Sequence, residues 1–179
     1  MHFFWRLRFA LLLAGSAMVC ASAWSQTVLD SVGLLGMRRE QLEPALSGAQ
    51  PVRSPRRLPS GGLGSLRVPD VLLEGTHFEQ TFYFAHQRLE QMDLVLLSPD
   101  AGPGAEGAVM QTQAALLQSL RARLGPELAS FASVPEALPD SASWVSAGAD
   151  VMLFRSGTAH HPSLRMVIRQ QHLVDASEL

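Results

Sequence analysis

Residues 77–97 read HFEQTFYFAHQRLEQMDLVLL, and this stretch decides the fold class. In its first half, phenylalanines alternate with polar residues and one tyrosine, and this two-residue period predicts a β-strand with one apolar face. The apolar face carries Phe78, Phe82 and Phe84, and the opposite face carries Glu79, Thr81 and Tyr83. The strand therefore packs its phenylalanines into a core and leaves Tyr83 as the aromatic residue on the other side.

The second half of the stretch, residues 89–97, alternates in the same way. Met92, Leu94 and Leu96 lie on one face, and Gln91 and Asp93 lie on the other. With a turn at Gln87 and Arg88, the two runs form an antiparallel hairpin, and Val68 to Glu74 is predicted to add a third strand at its edge. We interpret the acidic side chains of this region as solvent-facing strand residues: Glu74, Glu79, Glu90 and Asp93.

A connector rich in proline and glycine, residues 98–107, separates this hairpin from the clearest helix of the chain. The core-facing positions of that helix recur at three- and four-residue spacings: Gln113, Leu116, Leu117, Leu120 and Leu124. Gly125 and Pro126 mark its C-terminal end. Short strands are then predicted at Trp144, at Asp150–Arg155 and at Leu164–Arg169.

The two halves of the chain repeat one order of elements. A short helix at Arg38–Leu46, a long loop, a strand and a hairpin make up the first half, and the same order recurs in the second. We therefore predict an α+β fold: an antiparallel sheet with the helices packed on one face, built as a tandem helix-strand-hairpin duplication. The predicted boundaries are 24–100 for the first half, 101–108 for a linker and 109–179 for the second half, within one compact domain.

The order of elements, together with Gly36 followed by Arg38-Arg39-Glu40-Gln41-Leu42, resembles two groups of small exported helix-plus-sheet modules. They are the beta-lactamase-inhibitor-like family and the outer-membrane-assembly lipoproteins SmpA and BamE. The resemblance covers most of the chain after residue 23 and implies the helix-on-sheet fold. This chain departs from both groups because it lacks a lipidation cysteine and the cysteines that form the inhibitors' disulfides, and no functional residue carries over.

Residues 1–23 have the pattern of a cleavable signal peptide. Arg6 and Arg8 precede an apolar run from Phe9 to Val19, and small residues precede a predicted cut after Ala23. The apolar run has about 11 residues, so as a helix it reaches roughly half of a hydrocarbon core about 30 Å thick. We therefore expect a periplasmic or secreted protein with no permanent membrane span after signal cleavage.

Cysteine usage and charge narrow the function classes. We interpret Cys20, the single cysteine, as an ordinary signal-peptide residue, because Val19 does not fit a lipoprotein processing site. The segment after residue 23 then has no thiol, which excludes disulfides and cysteine nucleophiles. The chain has 14 basic and 16 acidic residues, and the signal peptide removes two arginines; this acidic balance argues against nucleic-acid binding. The absence of lysine and asparagine is typical of a GC-rich genome and favours a bacterial envelope.

No catalytic signature appears in the chain. It has no H-E-x-x-H zinc motif and no G-x-S-x-G nucleophile elbow, and Gly61-Gly62-Leu63-Gly64 lacks the lysine of a phosphate loop. His160 and His161 are predicted to tip the second hairpin and to face solvent, and His77 and His86 to lie on opposite faces of one strand. We predict no metal site and no cofactor. The alternative is a small secreted hydrolase or metal-dependent enzyme that uses His160 or His161.

The leading hypothesis is a non-enzymatic periplasmic protein that binds an envelope protein or an anionic surface. Aromatic side chains dominate protein interfaces, and guanidinium groups bind anions, so the surface is predicted to combine both. The candidate binding residues are Tyr83, Arg53, Arg56, Arg57 and Trp144. Among them, Tyr83 is expected to be the best exposed contact, because it faces away from the phenylalanines.

Overall fold

The computed structural model describes residues 27–97, 102, 104–134 and 137–171. The predicted signal peptide with its cut after Ala23, Cys20 and His172 lie outside the described residues. The helices are α1 (Val28–Val32), α2 (Arg39–Leu42), which continues into a 3-10 turn at Glu43–Ala45, and α3 (Ala105–Leu124). The strands are β1 (Gln50–Pro51), β2 (Leu63–Leu73), β3 (Thr76–Ala85), β4 (Arg88–Leu96), β5 (Ala129–Phe131), β6 (Ser141–Ser146), β7 (Ala149–Thr158) and β8 (His161–Gln170).

These strands form one sheet in the order β1-β2-β3-β4-β8-β7-β6-β5, and the neighbouring strands pair antiparallel. The predicted α+β class with an antiparallel sheet is therefore confirmed. Strands β1 to β4 run from one edge towards the middle, and β5 to β8 run from the other edge towards the middle. The two series meet where β4 pairs with β8, with Asp93 opposite Val167 near the centre of the contact.

Tight two-residue turns connect three of the strand pairs. Both turn residues have positive φ angles at Glu74 and Gly75, at His86 and Gln87, and at Ala147 and Gly148. Two successive left-handed residues give a turn whose twist matches that of the strands it joins. The β3–β4 turn lies one residue earlier than predicted, because Arg88 already pairs with Ala85 as the first residue of β4.

The apolar core lies between one face of the sheet and the helices. Residues paired across strands share a face, and the strands contribute to this inner face Leu66, Phe78, Phe82, Met92, Leu94, Trp144, Val151, Leu153, Met166 and Ile168. Helix α3 buries Val109, Gln113, Leu116, Leu117 and Leu120. The buried face of α3 therefore confirms the spacing predicted for residues 113–120, and burial of this apolar area stabilises the fold at roughly 25 cal/mol per Å².

The carboxylate of Glu74 joins three separate parts of the chain on the helical side. One oxygen, Oε1, accepts the backbone N–H of Val28 at the start of α1 at 3.0 Å. The other, Oε2, accepts the hydroxyl of Ser119 at 2.5 Å and Nε of Arg123 at 2.8 Å, both on α3. The Glu74 side chain is 2% exposed. The interpretation of Glu74 as solvent-facing is wrong, because it lies in the β2–β3 turn and points towards the helices.

Several element boundaries differ from the predicted ones. Helix α3 begins at Ala105, so residues 105–108 of the predicted linker are helical. Strand β2 begins at Leu63 rather than Val68, because pairing with β3 extends to Leu63 opposite Phe84. The segment between the predicted helix and the predicted strand at Trp144, for which no element was predicted, contains the edge strand β5. Among the described residues, no helix combines the length and apolar character needed to cross a bilayer.

We expect Glu74→Ala to lower the free energy of unfolding by about 1–3 kcal/mol, because the buried N–H of Val28 and the side chains of Ser119 and Arg123 would lose their acceptor. Urea unfolding followed by tryptophan fluorescence measures this change. Glu79→Ala is the matched control: its side chain is 40% exposed and pairs with Arg67 at 3.3 Å, so its removal should change stability by no more than about 0.5 kcal/mol. Equal effects of the two substitutions would contradict the role of Glu74.

Candidate binding surface

The sheet face opposite the helices is the candidate site, and we call it the outer face. Across β3, β4, β8 and β7, one row of paired residues on this face is Thr81, Asp93, Val167 and Met152. The next row is Glu79, Val95, Arg165 and Phe154. Within the described residues, the hydrophobic core cluster joins the helices to inner-face side chains and includes none from these two rows. The outer face is therefore separate from the core.

A charged network centred on Asp93 occupies the middle of the outer face. Nη2 of Arg165 lies 2.5 Å from Oδ2 of Asp93, and Nε2 of Gln91 donates to Oδ1 at 2.7 Å. The phenol of Tyr83 lies near the same carboxylate, which helps to raise the pKa of the phenol. The Asp93 side chain is only 6% exposed, whereas that of Arg165 is 35% exposed. The prediction that Asp93 faces solvent is wrong, since neighbouring side chains on its own face cover it.

Tyr83 lies on the outer face but is only 4% exposed. The expectation that it is an exposed contact is therefore wrong. Its ring packs against Gly64, the residue paired with it on β2, where an added Cβ would lie 2.7 Å from Cε1 of the ring. Burial raises the pKa of Tyr83 above its ordinary value, and the Asp93 carboxylate raises it further. Tyr83 therefore acts as a neutral buried member of the network.

Apolar side chains surround the network on the side of β7 and the end of β4. Val95 and Leu97 are each 41% exposed, and Val145 on β6 is 44% exposed. Met152 and Phe154 are half-buried on the same face. Apolar groups that stay in contact with water beside fixed charges are typical of binding surfaces.

The arginines of residues 53–57 lie beside the Tyr83 end of the outer face, and we call residues 53–62 the arginine loop. Arg53, Arg56 and Arg57 are exposed. Backbone hydrogen bonds hold the loop in shape: Leu58 N–H donates to the carbonyl of Gly62 at 2.8 Å, and Gly64 N–H donates to that of Arg56 at 2.9 Å. No acidic residue occurs between Glu43 and Asp70, so this part of the chain is locally cationic. Such a surface favours anionic partners.

A cleft of about 330 Å³ lies at the same end of the sheet. It is bordered by Ser60 of the arginine loop, by His86 and Arg88 of the β3–β4 turn region, and by Glu90 and Gln170. Nη1 of Arg88 donates to the carbonyl of Gly36 at 3.0 Å, which holds the arginine in place. The cleft therefore adjoins the arginine loop, and its own lining carries one arginine and one glutamate.

Trp144 belongs to the core rather than to the surface. It is 1% exposed, and its Nε1–H donates to the carbonyl of Gly125 after α3 at 3.1 Å. The alternation of β6 places Trp144 on the inner face, opposite Val151. Of the predicted binding residues, the structure leaves the three arginines accessible and buries Tyr83 and Trp144.

The four histidines in the described part of the chain do not converge on one site. His77 lies 2.7 Å from the Asp70 carboxylate at an exposed site, and His86, His160 and His161 are exposed in turns or at a strand end. Among the described residues, no group of three or more metal-ligating His, Cys, Asp or Glu side chains is present. The arrangement of the described histidines therefore gives no support to the alternative of a metal site at His160 and His161.

Comparisons with protein-family models, with curated proteins and with solved structures gave no match. The resemblance to the inhibitor-like and outer-membrane-assembly modules therefore stays a prediction. Sequence reasoning missed the Asp93–Arg165 pair, which joins residues 72 positions apart. The one signal for it was an aspartate in the middle of a strongly apolar strand, a position at which a charge requires a partner.

We expect Tyr83 to titrate at a higher pH in the folded protein than in urea, because burial and Asp93 disfavour the phenolate. Tyr83 is the only tyrosine, so tyrosinate absorbance measures this residue alone. Since the folded-state pKa is raised, the stability contribution is present below the ordinary value of 10.0 and is lost as pH rises through the folded pKa.

Asp93→Asn should lower the pH at which Tyr83 titrates in the folded protein. The substitution removes the carboxylate that raises the pKa of Tyr83 and leaves Arg165, which lowers it. Asp150→Asn removes a second outer-face carboxylate, paired with Arg169 at 2.9 Å, and should leave the midpoint unchanged. Identical midpoints in the folded protein and in urea would contradict the buried position of Tyr83.

Gly64→Ala is expected to displace the Tyr83 ring and to lower the free energy of unfolding by about 1–3 kcal/mol. Gly107→Ala is the control: a Cβ there meets nothing within 4 Å, and alanine in a helix should raise stability by about 0.5–1 kcal/mol. Urea unfolding of both variants checks the prediction. A Gly64→Ala protein as stable as the parent would show that the ring is not held against the strand.

Proposed function

We propose that the chain is an exported, non-enzymatic binding module of the bacterial envelope, and that it binds an envelope protein or another anionic surface through the outer face and the arginine loop. The export part of the proposal rests on the signal-peptide pattern of residues 1–23. The binding part rests on the outer face, which is the observation that carries the proposal.

The outer face supports a binding role because it combines accessible apolar groups with charges that are already in position. Val95 and Leu97 provide exposed apolar area, and Arg165 next to Val95 is held by the buried Asp93 carboxylate. A binding surface whose side chains are fixed before the partner arrives loses less conformational entropy on association. An ordinary solvated sheet face is instead mainly polar.

The arginine loop supports an anionic partner. Its three guanidinium groups are exposed, and the backbone bonds between residues 56 and 64 hold their Cα positions beside the outer face. Guanidinium groups bind carboxylates and phosphates through paired N–H donors. The partner surface is therefore expected to carry clustered negative charge opposite the loop.

We also infer that the two halves of the chain arose by tandem duplication, as the recurring order of elements in the sequence predicts. The support is the strand order, in which β1 to β4 and β5 to β8 run inwards from opposite edges. Corresponding turns also share one geometry: Glu74 and Gly75 after β2, and Ala147 and Gly148 after β6, all have positive φ.

The binding proposal is tested by crosslinking the tagged protein in its own cell envelope, followed by mass spectrometry. We expect a reproducible partner whose recovery falls roughly tenfold or more in an Arg53→Gln, Arg56→Gln, Arg57→Gln variant, because several charged contacts are lost together. Val95→Glu, which places a negative charge in the apolar part of the outer face, should reduce recovery as well.

The matched control is the double variant Arg39→Gln, Arg121→Gln. Arg39 on α2 pairs with Glu43, and Arg121 on α3 pairs with Glu127, so both arginines lie outside the arginine loop. Its partner recovery should equal that of the parent, and urea unfolding should give near-parental stability for every variant. Unchanged recovery in both the arginine-loop variant and Val95→Glu would contradict the proposed surface.

A further inference from the structure

The two edges of the sheet differ in chemistry. Edge strand β1 contains Pro51, which has no N–H to donate, and three arginines follow it within six residues. Proline and positive charge are the usual means by which proteins prevent an edge strand from pairing with another chain. Edge strand β5 has neither within residues 128–134, which read LASFASV; Pro126 and Glu127 precede this run and Pro135 follows it. The β5 edge is therefore open to pairing.

Large apolar side chains are exposed at this same edge. Leu128 is 74% exposed, Phe131 is 64% exposed and Val134 is 60% exposed. Among the described residues, these are the three highest exposed fractions of any large hydrophobic side chain, and they lie within seven positions. Exposed apolar groups concentrated on an unprotected strand edge indicate a contact that removes them from water.

We propose that β5 pairs antiparallel with β5 of a second copy of this chain, about a two-fold axis at Ser130. Strand β5 pairs only with β6 in the described structure, so its other edge is available. Antiparallel pairing about Ser130 places Phe131 of one copy opposite Ala129 of the other, on one face. Immediately outside the strand, it places Leu128 opposite Ala132.

The alternation of large and small side chains along residues 128–132 favours a second copy of this chain as the partner of β5. Under a two-fold axis each large side chain, Phe131 or Leu128, meets an alanine, so neither pair is overfilled or empty. No charged residue lies between residues 128 and 134, so self-pairing brings no like charges together. The segment is thus complementary to itself in both size and charge, which an interface between identical copies requires.

Pairing at β5 would continue one sheet through both copies. Phe131 shares the outer face with its β6 partner Ser141 and with Phe154 on β7. The two outer faces would therefore lie side by side in the dimer. The inference does not depend on the proposed function, because the β5 edge and the arginine loop are at opposite ends of the strand order.

Sedimentation equilibrium over a range of concentrations tests the proposal. The sample is the protein purified, without truncation, from the cells that produce it. We expect a reversible dimer, and Phe131→Glu should raise its dissociation constant roughly tenfold or more, because two carboxylates would enter the contact. Leu29→Glu is the matched control, since it adds the same charge at an exposed apolar site on α1, outside both β5 and the outer face, and it should dimerise like the parent. A monomer at every concentration would overturn the proposal, as would a dimer insensitive to Phe131→Glu.

Disulfide trapping tests the register without relying on the folding of Phe131→Glu. In a Cys20→Ser background the only thiol is the one introduced, so Ser130→Cys should form a linked dimer rapidly on mild oxidation, with opposing Cα atoms roughly 4.5–5.5 Å apart. Ser133→Cys is the control, because two copies of this exposed residue would lie roughly 20 Å apart along the paired strands. Equal trapping rates for the two variants would overturn pairing at Ser130.

Discussion

The carboxylate of Glu74 is the contact on which the arrangement of sheet and helices depends. It lies in the turn between β2 and β3, and it accepts hydrogen bonds from the first residue of α1 and from two side chains of α3. Helix α1 has five residues, too few to be stable alone, so its position must come from tertiary contacts. One buried charge thus fastens both helices to the same face of the sheet, and a buried charge is stable only when it is paired and hydrogen-bonded.

With the helices held on one face, the other face is left for different chemistry. The inner face is mainly apolar from Leu66 on β2 to Trp144 on β6, and the one polar side chain buried on this face among the paired residues of β3 and β4 is Gln80, which donates to the sulfur of Met92. The outer face mixes the Asp93–Arg165 pair with partly exposed valine, methionine and phenylalanine side chains. Because adjacent residues of a strand point to opposite faces, a single strand such as β4 contributes Met92 and Leu94 to the core and Asp93 to the candidate surface.

Much of the fold and part of the candidate surface follow from local pattern. The alternation around Phe82 and Met92 predicted the hairpin, and the spacing of Leu116 and Leu120 predicted the buried face of α3. The arginine loop was predicted from composition, because charged residues among glycine and proline seldom enter a core. The burial of Tyr83 and Asp93 was not predicted, since alternation assigns a side chain to a face but does not tell whether neighbours on that face cover it. Gly64 on the neighbouring strand β2 leaves room for the Tyr83 ring to lie against the backbone, and Arg165, which is 72 positions away on β8, covers Asp93.

The sequence by itself determined the α+β class, the hairpins, the apolar face of each main strand and the helix that covers them. These features depend on residues a few positions apart, whose periodicity matches the geometry of strand and helix. Only the tertiary structure decided that Glu74 faces inwards, that Tyr83 and Asp93 are buried, that β4 pairs with β8 and that β5 is left at an edge. Each of these depends on which distant strands become neighbours, and that choice is made by the packing of the whole sheet against α3 rather than by any local run of residues.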